Sequence, residues 1–165
     1  MMTLDAFWHR LYDLPLAVAI REGDSLFPWI ESLHVLSVVT VVGTIAIVDL
    51  RLIGLPSHKR SVRALITELL PFTWAAFALA VLFGGLLFVS NAPTYAHNRA
   101  FQLKMLFMVL AGLNMGFFHL ITQRRMHLWD EIASTPAAAK AAGLTSLALW
   151  IVVVFCGRWV GFTLR

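Results

Sequence analysis

The sequence predicts an all-α integral membrane protein: a four-helix bundle preceded by an amphipathic helix at the membrane interface. Of its residues, 59% are hydrophobic and only 13% are charged, a balance that excludes an ordinary soluble domain. A helix needs about 20 largely apolar residues to cross a bilayer. Four stretches meet this requirement, over residues 27–50, 65–90, 93–121 and 143–162. A membrane β-barrel would need alternating segments of about 10 residues, and the sequence lacks that alternation.

The chain divides into an interfacial segment, residues 1–26, and a transmembrane domain, residues 27–165. Apolar residues recur at nearly helical spacing from Leu4 to Leu16, opposite Arg10 and Asp13, which is typical of a helix lying in the interface. Pro15 is expected to bend or break this helix. The segment has no basic start and no long apolar core, so we expect it to be retained rather than cleaved as a signal peptide.

The basic residues between the spans predict the orientation. They follow the first and third spans and comprise Arg51, Lys59, Arg60, Arg63, Arg124, Arg125 and Lys140. Because cytoplasmic loops are rich in Lys and Arg, we expect both loops in the cytoplasm and both termini in the periplasm of a cytoplasmic (inner) membrane. The net charge of +4 does not indicate a nucleic-acid partner, since it is spread over loops.

Ionisable side chains inside the spans are the candidate functional residues, because charge in hydrocarbon is costly. Counted from the prolines that begin their spans, His34 and His97 differ in depth by only about 3 Å, and Lys104 lies about 10 Å deeper than His97. On the third span, over residues 93–121, His97, Lys104 and His119 fall on one helix face at about 100° per residue. On the first span, His34 shares a hemisphere with Asp49.

These positions predict two polar layers in the bundle. The outer layer holds Glu31, His34, His97, Lys104 and Arg158, and the inner layer holds Asp49, Glu68 and His119. Two histidines from facing helices at one depth are what six-coordinate haem b requires. We therefore predict His34 and His97 as axial metal ligands, with Lys104 or Arg158 beside the propionates and His119 as the alternative second ligand. No catalytic residue is predicted.

Each candidate also has a structural explanation. His97 is equally well explained as an interfacial histidine, and His34 by a hydrogen bond to a carbonyl or to Glu31. Lys104 is as well explained by its chain reaching towards the membrane surface. Asp49 and His119 are expected to form a structural pair. The methionines of the third span are expected to fill the core, and the single cysteine, Cys156, excludes an internal disulfide.

Three classes of function remain open. The leading hypothesis is a haem protein for electron transfer or redox support, working with a redox partner. The second is a copper or other cation transporter using His34, His97 and methionines. The third is a cofactor-free subunit of a larger membrane complex or a homo-oligomer, with contacts at Gly112, Gly116, Gly157 and Gly161. No phosphate-binding loop, activated nucleophile or zinc motif is visible, and enzyme activity is left open.

Two stretches resemble known families. FPWIESLHVLSVVTVVGTIAIVDLRLIGL and NRAFQLKMLFMVLAGLNMGFFH resemble an uncharacterised family of small bacterial inner-membrane proteins with four helices, which implies a fold but no activity. A helix-one histidine, with a helix-three lysine and a later histidine, is also similar to the four-helix protoporphyrinogen oxidase family and to the membrane domain of copper-resistance proteins. The oxidase resemblance implies haem binding and functional roles for His34 and Lys104.

Overall fold

The computed structural model describes residues 3–55, 61–122 and 135–163, and these residues are almost entirely helical, with no strand among them. The all-α prediction is confirmed. The described residues form seven α-helices: α1 (Leu4–Tyr12), α2 (Pro15–Glu22), α3 (Leu26–Ile53), α4 (Val62–Ser90), α5 (Ala92–His97), α6 (Arg99–Phe117) and α7 (Ala137–Thr163). A π-helical turn, Phe118–Thr122, continues directly from α6.

Within the described ranges, four helical segments are long and apolar enough to cross a membrane: Leu26–Ile53, Val62–Ser90, Arg99–Leu120 and Ala137–Thr163. Many of their large apolar side chains point away from the bundle; Leu36 is 64% exposed, Leu113 65% and Ile151 65%. Such exposure is expected where lipid rather than water surrounds the helices. The predicted four-span membrane protein is therefore confirmed. We call its two ends the Asn91 end, where α4 finishes and α6 starts, and the Gly54 end, where α3 finishes.

The spanning helices pack in the order α4, α3, α7, α6. α3 packs along both α4 and α7, and α7 packs along α6. Over the described residues, α4 and α6 pack on each other only weakly, mainly where the ring of Phe88 stacks on that of Phe101 towards the Asn91 end (centroids 5.4 Å apart), so the bundle is loosely closed on that side. α3 and α7 approach each other closely at Gly143, where an added Cβ would lie 3.0 Å from Leu52 Cβ and 3.1 Å from the Asp49 carbonyl oxygen.

The glycines predicted as helix-contact positions do not mark the close approaches. Gly112, Gly116 and Gly161 have no heavy atom of a neighbouring element within 4 Å of an added Cβ. Gly157 does meet a neighbour, the side chain of Lys104. The backbone instead approaches its neighbours at Gly84 and Gly143, which the small-residue spacing did not identify.

The N-terminal segment folds as two short helices, because Pro15 occupies the first turn of α2 after a break in α1. Arg21 fixes α2 to the bundle. Its guanidinium donates to the carbonyl oxygens of Ser90 (3.0 Å) and Tyr12 (3.2 Å) and lies 3.8 Å from the centroid of the Tyr12 ring. The Ser90 carbonyl is one of the last in α4 and has no partner within that helix, so Arg21 caps α4.

The predicted helix over residues 93–121 is wrong in one respect, because Asn98 interrupts it. Asn98 is extended (φ −78°, ψ 119°), and its side-chain oxygen accepts a hydrogen bond of 3.1 Å from the Phe101 amide. This is the geometry of an N-cap, and it starts α6 afresh. His97 therefore belongs to α5 and does not share the α6 face that carries Lys104.

The fourth helix starts earlier than the predicted span over residues 143–162, since α7 begins at Ala137. Proline is favoured at helix starts and alanine is the strongest helix former, so this stretch adds nearly two turns to the fourth span. The added turns have a packing role. The Asn114 side-chain amide donates to the Ala142 carbonyl oxygen at 3.0 Å and joins α6 to α7.

Candidate functional site

A cavity of about 160 Å³ lies in the half of the bundle nearer the Gly54 end, with walls from α3, α4, α6 and α7. By comparison, a cavity of roughly 150 Å³ holds a benzene molecule. The wall is mainly apolar and includes the rings of Trp74, Phe77 and Trp150. Its polar side chains are Thr44, Asp49, Thr73, Asn114, His119 and Ser146.

Asp49 is the buried acid of this cavity. Its side chain is only 5% exposed, and among the described residues its Oδ2 atom has no hydrogen-bond partner. The Ser146 hydroxyl hydrogen-bonds to the same carboxyl group. Burying a carboxylate oxygen without a partner is costly, and in a membrane span such a group usually marks a functional site.

The neutral polar residues of the cavity are satisfied by the protein. The Thr73 hydroxyl donates to the Thr44 hydroxyl oxygen at 2.8 Å, and Thr44 donates to the Thr40 carbonyl oxygen at 2.9 Å. Asn114 is engaged with α7. Since these groups already have partners, the Asp49 carboxylate is the acidic group of the described wall that is left to bind a ligand.

His119 lies on the π-helical turn and lines the same cavity. Its Nδ1 lies 2.9 Å from the Met115 carbonyl oxygen, one turn back along the chain. Turns of this kind insert an extra residue into a helix and often occur at functional sites. Of the predicted inner layer, Asp49 and His119 thus line one cavity, whereas Glu68 is exposed and lies outside its wall.

His34 lies in the other half of the bundle and packs against α4. Its Nδ1 lies 2.9 Å from the Ala80 carbonyl oxygen. Because a carbonyl only accepts, Nδ1 carries the proton and Nε2 is left as an acceptor. The ring fills the space above Gly84, where an added Cβ would lie 2.8 Å from His34 Cε1. The hydrogen bond to a carbonyl is the structural explanation that the sequence offered for this histidine.

Lys104 is the predicted outer-layer residue that accompanies His34. Its ammonium is near enough to the His34 ring to interact with it electrostatically. Its side chain lies along α7, with Cδ and Cε each 3.7 Å from the position of an added Cβ at Gly157.

Two other predicted residues have different partners. His97 Nε2 lies 3.2 Å from Asp5 Oδ1 of α1, and the His97 side chain is 66% exposed. The Arg158 guanidinium is exposed and stands 4.8 Å from the ring centroid of Phe162 on its own helix. His34 and His97 therefore do not share a contact, and ligation of one haem by both stays a prediction.

The cavity near the Gly54 end is not a porphyrin site. His34 does not line it, and its volume is well below the roughly 300–1,000 Å³ of pockets for larger cofactors. Within the described ranges, no cluster of three or more His, Cys, Asp or Glu residues is arranged to hold a metal ion. Cys156 is buried and unpaired, as expected.

The sequence singled out Asp49 and His119 but missed the neutral polar residues around them. Thr44, Thr73, Asn114 and Ser146 lie at similar numbers of residues from the Asn91 end of their helices. Comparing the depths of neutral polar residues as well as those of ionisable residues would have identified these four residues as one polar layer.

The fold and the site define a small membrane protein with a four-helix bundle and a ligand-sized cavity. The model of a family of unknown function (DUF6644) matches residues 23–163, and the chain belongs to this family. The match covers α3 to α7 and leaves α1 and α2 outside. No curated protein and no solved structure matches the chain. The family membership brings no activity with it, and the similarities to the oxidase family and to copper-resistance proteins stay predictions.

Replacing Gly84 with alanine is expected to destabilise the bundle by about 1–3 kcal/mol, because the new methyl group displaces the His34 ring from Ala80. Gly85→Ala is the matched control, since an added Cβ at Gly85 meets nothing within 4 Å. Its effect should be neutral or stabilising by up to about 1 kcal/mol. Thermal unfolding in detergent, followed by tryptophan fluorescence, measures both. Equal losses in the two variants would contradict the assigned packing of His34.

Proposed function

We propose that the protein binds a small organic cation within the membrane, in the cavity between α3, α4, α6 and α7, and serves as its carrier. The observation that carries this proposal is the Asp49 carboxylate, 5% exposed and with one oxygen unpartnered among the described residues. A ligand cation placed there supplies the missing partner. An ion pair of this kind is stronger in an apolar interior than in water.

The rest of the cavity wall favours an organic cation over a metal ion. The wall is mostly apolar, and its aromatic rings, Trp74, Phe77 and Trp150, suit a hydrocarbon body and a neighbouring positive charge. A divalent metal ion would need several ligands, and Asp49 is the acid in the wall. The volume fits an amine carrying one aromatic ring.

The open side of the bundle supports entry of the ligand from the membrane. α4 and α6 both line the cavity, yet they pack only weakly on each other, and their stacked rings, Phe88 and Phe101, are not part of its wall. The cavity is only partly enclosed. A lipid-soluble amine can therefore reach Asp49 between these two helices without crossing a closed helix interface.

Benzylammonium is the matching probe, and it should bind the wild-type protein in nanodiscs. Asp49→Asn keeps the size of the side chain but removes its charge, so the affinity should fall by about tenfold or more, or at least about 1.4 kcal/mol. Isothermal titration calorimetry measures this. Benzyl alcohol, the neutral analogue, should bind the wild type and Asp49→Asn alike. Unchanged benzylammonium affinity in Asp49→Asn would refute the proposal.

A pair of glycine variants tests the location. Gly112 lines the cavity and has open space at its Cβ position, so Gly112→Leu should fill the cavity and abolish binding. Gly116 lies one turn further along α6, also has open space and is not part of the wall, so Gly116→Leu should bind normally. Equal affinity in the two variants would place the ligand elsewhere.

Haem binding at His34, for electron transfer or redox support, is a second proposal. It is favoured by the His34 hydrogen bond to Ala80, because metal-binding histidines commonly donate one ring nitrogen to a carbonyl and coordinate through the other. Protein purified without added haem should then show a Soret band that His34→Ala removes and His119→Ala retains. Absence of the band, or its survival in His34→Ala, would exclude haem at this residue.

We further propose that the protein lies in the bacterial cytoplasmic membrane with the Gly54 end in the cytoplasm. Arg51, Arg63 and Lys140 support this orientation, and the other predicted loop cations, Lys59, Arg60, Arg124 and Arg125, lie outside the described residues. Alkaline phosphatase fused to the C-terminus should be active, because that enzyme folds in the periplasm. An inactive phosphatase fusion, together with a fluorescent C-terminal green fluorescent protein fusion, would show that the C-terminus lies in the cytoplasm and that the orientation is the opposite one.

A further inference from the structure

The half of the bundle nearer the Asn91 end contains a cation that the Asp49 cavity does not use. Lys104 lies in the spanning part of α6 and is partly buried. Its chain runs against α7 at Gly157, and its ammonium interacts with His34 of α3. It therefore points into the bundle, in contrast to a lysine that follows the lipid to the membrane surface.

Lys104 has no acidic partner in the part of the chain that the structure describes. Two of the acids towards this end have other neighbours. Asp5 pairs with His97. Glu31 lies near Tyr95 of α5, outside the spans, where burial and then the charge of Glu31 raise the pKa of the Tyr95 phenol. The described structure therefore leaves the charge of Lys104 uncompensated.

His34 does not supply the missing negative charge. Its Nδ1 proton is used by the Ala80 carbonyl, and its other nitrogen is a neutral acceptor. A partly buried lysine that lies near a neutral imidazole and against an apolar helix face lacks the ion pair that normally stabilises such a charge. A ligand anion would supply it.

We propose that Lys104 binds the carboxylate of a lipid-soluble acid, within electrostatic range of His34. One ammonium matches one carboxylate, whereas phosphate sites usually combine arginine forks or several backbone amides. The site lies about 7 Å below Arg99, five residues further along α6, so it is reached through hydrocarbon. An acid with an apolar chain is therefore preferred over a small water-soluble one.

This site is separate from the cavity of the proposed function. Asp49 follows His34 by fifteen residues along α3, which corresponds to about 22 Å of helix. A ligand of the size of benzylammonium cannot touch both. Loss of one site should therefore leave the other intact.

Laurate binding to the protein in nanodiscs, with empty nanodiscs subtracted, tests the proposal by calorimetry. Lys104→Gln should weaken laurate binding by about tenfold or more, and Lys104→Arg, which keeps the charge, should bind within about threefold of the wild type. Arg158→Gln is the matched control, since it removes an exposed cation near the same end of the bundle, and it should bind normally. Asp49→Asn should also bind laurate normally while losing benzylammonium.

Three results would overturn the assignment. The first is the absence of laurate binding to the wild-type protein, and the second is unchanged affinity in Lys104→Gln. The third is an equal loss in Arg158→Gln, which would show that only the overall positive charge of this end attracts the acid. Acetate, which has the same carboxylate but no long apolar chain, is the water-soluble comparison. If acetate binds as tightly as laurate, the requirement for a lipid-soluble acid is overturned.

Discussion

The constraint on which this structure depends is that lipid cannot satisfy a polar group. Every backbone amide and carbonyl at membrane depth must find its partner within the protein, so the spans are helices. The same constraint applies to side chains. Thr44 and Thr73 bond to each other, and Asn114 bonds to a carbonyl of α7. Against this background the unpartnered oxygen of Asp49 and the unpaired ammonium of Lys104 are exceptions, and exceptions are where ligands are expected.

The uneven packing of the bundle explains where the exceptions lie. α3 is the central helix, because it packs on both α4 and α7, while α4 and α6 line the same cavity and pack only weakly on each other. Small residues bring α3 and α7 together at Gly143, whereas Gly112 on α6 faces open space. The cavity therefore arises where one pair of neighbouring helices is held apart. In a membrane such a gap is open to lipid-soluble molecules.

The two charged groups divide the bundle into two chemically different halves. The half nearer the Gly54 end has a buried acid, hydroxyl groups and aromatic rings, and the half nearer the Asn91 end has a lysine and a neutral histidine. The N-terminal helices lie at the Asn91 end, where Arg21 caps α4 and Asp5 pairs with His97. The family match begins at residue 23, so this extra contact layer lies outside the region that the family model covers.

The sequence by itself determined the four spans, since an apolar run of sufficient length has no other stable state in a bilayer, and it identified Asp49, His34 and Lys104 because ionisable residues are rare there. Only the tertiary structure decided what these residues face. Asn98 caps α6 and ends α5 there, so His97 does not lie on the α6 face that carries Lys104. The apolar pattern runs through this break without a change and therefore does not reveal it. The separation of α4 from α6, and hence the cavity, depends on how four side-chain surfaces fit together, which periodicity along one helix does not encode.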